Sequence, residues 1–203
     1  MTSILKADNI QDADGNNIIN ESSNTITIGA SGDTISIPSG ATFNINGTAG
    51  TGIGTNTPAF YAYLSSNQSV ANGANTKVQI DTEIFDSDNA YDNSSNYRFT
   101  PQTAGKYFVY GAVCGATSAS NRLYQVLAKI YKNGSNTALT SEEFADNVLT
   151  RKTSFISTVV DMNGSSDYVE LYGFVDIHAN NDETIVGSAS KMTYFGAYKI
   201  IGA

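Results

Sequence analysis

Asp176 and His178 stand two residues apart at the end of an apolar run. In a strand both side chains would point to one face. Such a pair could serve a nucleophile in a hydrolytic triad. No serine in a sharp nucleophile turn completes it, and a polar strand end running into Asn180-Asn181-Asp182 accounts for the same residues. Cys114 closes an apolar stretch and reads as a small buried hydrophobe rather than a reactive thiol. One Cys and one His exclude an intramolecular disulfide and a Cys/His zinc centre. A glycan-cleaving pair could come from any two of the 19 acids, but no spacing selects one. The expectation is a protein that is not an enzyme. The remaining chemistry is hard-oxygen ligation. Asp86, Asp88 and Asp92, with Asn89 and Asn93 between and after them, offer carboxylates at close spacing for Ca²⁺. Asp12-Ala-Asp14-Gly15-Asn16-Asn17 opens like a Ca²⁺ loop, but no Glu closes it at the twelfth position. Asp, Asn and Gly also build ordinary turns. No cofactor is required, and Ca²⁺ is the one candidate.

The elements that must position these residues are strands. The chain has 203 residues with 12 Tyr, 9 Phe, 18 Gly, 3 Pro and no Trp, and only 15% of it is charged. Polar positions are filled mostly by Asn, Ser and Thr, which with the aromatics suits pleated sheets rather than helices or disorder. The length can bury a real core without metal or disulfide staples. A net charge of −8, with 11 basic residues thinly spread, has the wrong sign for gripping nucleic acid. No apolar run approaches a membrane span, so no membrane insertion is expected. The first residues lack a charged region followed by an apolar one, so no signal peptide is expected, and any extracellular role implies an exit other than secretion.

The composition changes near residue 56. Residues 1–56 hold one basic residue, Lys6, and one aromatic, Phe43. Within them a motif recurs: Thr25-Ile26-Thr27-Ile28-Gly29, then Thr34-Ile35-Ser36-Ile37-Pro38, then Thr42-Phe43-Asn44-Ile45-Asn46. Each copy alternates polar and apolar residues, the period of a strand. A short repeated strand cannot bury its Ile side chains alone and must stack on other rungs or other chains. The expectation is an intertwined stalk; a three-strand meander packed on the rest of the protein is the alternative. Residues 48–56, rich in Gly and Thr, form a linker.

Residues 57–203 read as a second domain made of strands. The clearest are 58–64, 106–113, 123–131, 154–160, 168–175 and 193–201, with turns at Asn133-Gly134, Asn163-Gly164 and 180–182 between them. The stretch Ser141-Glu142-Glu143-Phe144 is the one helix candidate and is better read as a loop. Many short strands with turns between them predict an antiparallel sandwich or barrel. Several strands are apolar on both faces: Tyr194, Gly196 and Tyr198 oppose Phe195 and Ala197, and Tyr168, Tyr172 and Phe174 oppose Val169, Leu171 and Val175. Antiparallel sheets usually wet one face. The second face suits a subunit interface, since Tyr combines large area with a polar tip. Tyr107, Tyr168, Tyr172, Tyr194, Phe195 and Tyr198 are the expected interface residues.

The second domain resembles the globular head of the complement C1q / tumour necrosis factor superfamily. The resemblance lies in Pro58-Ala-Phe60-Tyr61-Ala-Tyr63-Leu64, Phe85-Asp86, Tyr91-Asp92, Tyr97-Arg98-Phe99-Thr100-Pro101 and Ala104-Gly105-Lys106-Tyr107-Phe108-Val109. It continues through Ile130-Tyr131-Lys132-Asn133-Gly134, Asp167-Tyr168-Val169-Glu170-Leu171 and Tyr194-Phe195-Gly196-Ala197-Tyr198. Val109 departs from it, where the family usually has an aromatic. The resemblance implies a jelly roll that forms a homotrimer, and some members of the family bind Ca²⁺ near the trimer apex. The first 56 residues are similar to stalk segments of tailed-bacteriophage fibre proteins. Together they imply a trimeric virion fibre, made in the host cytoplasm and carried on the particle surface. Its N-terminal segment would dock on another virion protein. Its knob would bind a host-surface glycan or protein through tip loops, with Asn67, Gln68, Asn121, Arg122, Asn180 and Asn181 as candidate contacts. Alternatives are a capsid-decorating or head fibre with a structural role only, a cellular C1q-like carbohydrate-binding protein, and a polysaccharide depolymerase.

Overall fold

A computed structural model describes residues 9–11, 17–22, 25–29, 31–42, 56–118, 123–144, 149–178 and 182–201. The chain divides into two compact units, Met1–Gly52 and Ile53–Ala203. Every regular element among the described residues is a strand.

The first unit holds a three-stranded antiparallel sheet of β1 (Asn9–Gln11), β2 (Asn17–Ser22) and β3 (Thr25–Ile28), in that order. The first copy of the Ile/Thr motif is β3. The second copy, 34–38, runs without strand pairing, and most of the third, from Phe43 on, lies outside the described residues. Ile26, Ile28, Ile35 and Ile37 are exposed, from 48% at Ile37 to 67% at Ile26. These apolar side chains have no core of their own.

The second unit contains β4 (Ala59–Tyr63), β5 (Gln68–Ser69), β6 (Thr76–Lys77), β7 (Thr82–Asp86), β8 (Tyr91–Asp92), β9 (Arg98–Phe99), β10 (Ala104–Ala116) and β11 (Leu123–Lys132). It continues with β12 (Ser135–Glu143), β13 (Arg151–Asn163), β14 (Val169–Ile177), β15 (Thr184–Ile185) and β16 (Tyr194–Lys199). Two antiparallel sheets result. One runs β5-β15-β10-β16-β4-β7, with β13 also pairing β10. The other runs β12-β11-β14-β9-β8, with β6 also pairing β14. All six strands expected from alternation are present. The stretch read as a loop, 141–144, instead completes β12 through Glu143, where cross-strand pairing with β11 overrides its polar character.

Local chemistry closes the turns. Asn133 and Gly134 both have positive φ, 50° and 77°, the twist-matched two-residue hairpin joining β11 to β12. Asn163 Oδ1 accepts from the backbone N–H of Ser165, Ser166 and Asp167 and so folds the turn from β13 to β14.

The core lies between the sheets. Phe60 is its aromatic centre, stacked on Tyr91 at 4.4 Å and Phe99 at 4.7 Å and edge-on to Phe195 at 5.2 Å. Val109, Val113, Val126, Ile130, Leu171, Val175 and Ile185 fill the rest, all without solvent exposure. Buried phenols keep a partner: Tyr91 Oη donates to the Ile80 carbonyl at 2.9 Å and Tyr107 Oη to the Thr103 carbonyl at 2.8 Å.

Candidate functional site

Strand register decides which side chains look outward. On β10, Tyr107, Val109 and Val113 turn into the core, so Phe108 and Tyr110 turn out. Their cross-strand partners share that face. Phe108 lies opposite Tyr198 and Val159, and Tyr110 lies opposite Gly196 and Ser157. Ala112 lies opposite Tyr194 and Phe155, while Tyr194 and Gly196 face Tyr63 and Tyr61 on β4. The outer face of this sheet is therefore a continuous aromatic field. Tyr61 sits 5.7 Å from Tyr194 and 6.4 Å from Tyr110, and Phe108 sits 5.5 Å from Tyr198. A Cβ on Gly196 would lie 2.5 Å from the Tyr110 ring, so glycine is what lets that ring lie across β16. Burial raises the Tyr110 phenol above its ordinary range, with Tyr61, Tyr194 and Tyr198 adding to the effect. Yet Phe155 is 60% exposed, Val159 51% and Tyr198 38%. A contiguous apolar field of this kind marks an interaction surface.

This arrangement sorts the expected interface residues. Tyr194 and Tyr198 lie on the aromatic field. Tyr107 and Phe195 do not: both are fully buried between the sheets of one chain, and burial pushes the Tyr107 phenol up to about 12. They lie on the face that the second sheet covers. Tyr168 and Tyr172 belong to the outer face of the other sheet, where Tyr172 stacks on Tyr131 at 4.1 Å and Tyr168 carries the Arg98 guanidinium at 4.5 Å. Within one chain they lie on a different face from Tyr194. Alternation within the strands did not reveal Tyr61, Tyr110, Phe155 and Val159 as members of the field; only pairing to β10 and β16 does.

The loops fall at two opposite ends of the sandwich. At one end, β5 pairs β15, and β15 pairs the last residues of β10. Asn67 lies here, exposed, its Oδ1 accepting from Gly187 N at 3.1 Å. Gln68 uses both ends of its amide inside the domain: Nε2 donates to the Lys77 carbonyl and Oε1 accepts from Gln79 N, each at 2.9 Å. Thr117 Oγ1, Ser118 N and Ser118 Oγ all donate to the Asp182 carboxylate, tying two loops together. Asn121, Arg122, Asn180 and Asn181 lie outside the described residues.

The candidate Ca²⁺ loop lies at the other end, beside Pro58. Asp86 accepts from the backbone N–H of Asp88 at 3.3 Å and of Tyr91 at 2.8 Å, and Asp88 accepts from Ser87 Oγ. Asp92 accepts from the N–H of Ser94, Ser95 and Asn96 at 2.9–3.1 Å and from Asn96 Nδ2 at 2.8 Å. Those bonds, the Ser95 and Ser94 N–H foremost, hold its carboxyl far below the ordinary carboxylate range. The Asp86 and Asp92 carboxylates thus serve the backbone of their own turns, Asp88 serves the Ser87 hydroxyl, and no three His, Cys, Asp or Glu side chains come together among the described residues. The three aspartates as arranged do not fit a Ca²⁺ ligand set. Asp12 and Asp14 lie outside the described residues.

His178 is exposed, its ring 5.1 Å from that of Tyr124. Cys114 is 1% exposed, packed with Ala116, Val186 and Met192, and burial raises its thiol above the ordinary value. A buried protonated thiol is a poor nucleophile.

No family model matches the chain, and no curated protein matches it in sequence. Among solved structures it is similar to the globular domain of a zebrafish complement 1qA protein, at 11% identity and a TM-score of 0.50, over 71% of this chain and 98% of that one. Similarity also extends to Eiger TNF from S. frugiperda, at 10% identity and a TM-score of 0.48, over 71% of this chain and 93% of that one. Murine APRIL aligns at 10% identity and a TM-score of 0.48, over 70% of this chain and 99% of that one. The fold is an all-β antiparallel jelly roll of the C1q/TNF type.

Proposed function

We propose that the chain is a non-enzymatic virion fibre of a tailed bacteriophage, a homotrimer whose C1q-like knob is displayed for host-surface binding. The aromatic field on the β10-β16-β4 face is the observation that carries this reading. Tyr61, Phe108, Tyr110, Tyr194 and Tyr198, with Phe155 and Val159, give a single chain a large apolar face that water does not favour. A symmetric oligomer covers such a face on every protomer at once. The exposed Ile residues of 25–37 ask for the same remedy, neighbouring chains that wrap them into a stalk. Three copies of each loop then let weak contacts with a host glycan or protein gain avidity. The N-terminal segment is the part left to dock on another virion protein.

A second reading, a capsid-decorating fibre with a structural role only, draws support from Gln68, whose amide holds the domain together rather than facing outward. One experiment separates the two. Immunogold labelling with an antibody to the knob locates the chain on purified particles, and fluorescent purified chain is incubated with host cells. Labelled particles together with saturable cell binding support display. Labelled particles with no cell binding favour decoration, and unlabelled particles exclude both.

A further inference from the structure

A polar pocket of about 440 Å³ opens at the end of the sandwich that carries Pro58, between the 88–98 segment and the 100–103 turn. Its volume falls within the range of small-ligand sites, roughly 300–1,000 Å³. Asp88, Asn89, Asn96, Arg98 and Gln102 are among the polar residues of its lining.

Arg98 is the unusual member. It is half-buried, and its guanidinium lies over the Tyr168 ring, 4.5 Å from the ring centre. Asp92 is its direct cross-strand partner, where an ion pair would be the ordinary outcome. Asp92 instead turns both oxygens to the N–H groups of 94–96. Arg98 is left with five N–H donors and no hydrogen bond or ion pair to any described residue. Tyr97, the residue before it, has a φ of +50°, an outlier for a bulky side chain. Such conformations persist where the surroundings over-determine them, often at binding sites. Here it sits at the residue that leads into Arg98.

The charges of the wall narrow the occupant. A cation would meet the guanidinium. An anion would meet Asp88 and Asp92 in the same wall, in a chain of net charge −8. A neutral polyhydroxyl ligand suits both, because each hydroxyl can accept from Arg98 and donate to a carboxylate or an amide oxygen. We propose that this pocket is a binding site for a neutral saccharide, with Arg98 and Asp88 as its principal contacts. The pocket belongs to the β8-β9 side of the domain, shares no residue with the aromatic field and lies at the opposite end from Asn67 and Gln68.

Methyl glycosides of glucose, galactose, mannose and N-acetylglucosamine serve as neutral probes, with glucuronate and glucosamine as charged ones. Each is titrated into the full chain while backbone amide resonances are followed. The expected result is saturable binding of at least one neutral glycoside at millimolar concentrations, with shifts centred on Asn89, Asn96 and Arg98. R98Q should weaken that binding at least tenfold, and D88N, at an exposed position, several-fold, both with unaltered sedimentation. If R98Q proves misfolded, D88N alone decides. Absence of binding by every neutral probe at tens of millimolar overturns the proposal. So does binding that D88N leaves untouched, or tighter binding of glucuronate than of any neutral probe.

Discussion

Asp92 organises a four-residue loop with one carboxylate, and the bonds it accepts from Ser94, Ser95 and Asn96 make its charge part of the fold. Its folded pKa is lowered relative to the unfolded chain. The stability it contributes is therefore present above the ordinary carboxylate pKa of about 4 and is lost as pH falls below it toward the folded value. Asp92→Asn should be less stable than wild type at neutral pH, with the gap closing as pH drops below about 4; thermal melts across pH 7 to 2 measure it. A gap independent of pH would mean that the charge plays no part. Buried and exposed aromatics separate in the same way. Phe60→Ala removes the centre of the core and should cost about 3–5 kcal/mol of unfolding free energy. Tyr198→Ala trims an exposed ring and should change the chain's own stability by less than about 0.5 kcal/mol. It should nevertheless weaken subunit association by about 1–2 kcal/mol, read from sedimentation equilibrium, because the ring is part of the field that another copy would cover. Equal effects of the two substitutions on folding would remove the distinction between core and field.

At the level of elements, Gly196 on β16 illustrates how a strand builds a surface. Gly196→Ala would drive a methyl into the Tyr110 ring and displace it from Tyr61, Tyr194 and Phe108. Circular dichroism of the variant should match wild type while its oligomer dissociates at lower denaturant concentration. Gly173→Ala, whose methyl would meet buried Ile185 and Val113 at 2.7 and 2.9 Å, should instead lower the stability of the fold by about 1–3 kcal/mol. The long strands β10, β11, β13, β14 and β16 were legible because alternating Tyr, Val, Ile and Phe leave no other pattern to read. The Asn133-Gly134 hairpin was legible because its chemistry demands positive φ. β12 was not, since its residues are nearly all polar and it is held by the ladder to β11. The two-residue strands β5, β6, β8, β9 and β15 exist only through their partners, so no local signal marks them. The aromatic field was half legible. Alternation divides a doubly apolar strand into two faces but carries no sign, so Tyr107 and Phe195 could not be told from Tyr110 and Tyr194 until the second sheet covered them. The Arg98 pocket was not legible at all, because it depends on which way Asp92 turns.

For the whole molecule, the two units have unequal means of folding. Nearly all the aromatic residues fall in 57–203, where they form a closed core and an open field. The first unit has four Ile side chains of its repeats facing water. Ordering its chain costs roughly 1–2 kcal/mol per residue in backbone entropy, and exposed Ile cannot offset that. Residues 57–203 alone should therefore fold and sediment as a trimer, while 1–56 alone should show no cooperative melt and gain structure only when a trimeric head holds three copies in register. The control for the mechanism is a charge placed on the field. Phe155→Asp or Val159→Asp, at positions already exposed in one chain, should leave a folded monomer, because only the assembly would bury the charge. Tyr107→Asp should instead unfold the domain, since it places an unpartnered carboxylate in the core of every copy. Velocity sedimentation with circular dichroism on the three variants reads both outcomes. A wild-type monomer at micromolar concentration, or Phe155→Asp sedimenting as a trimer, would mean that the aromatic field has some other occupant.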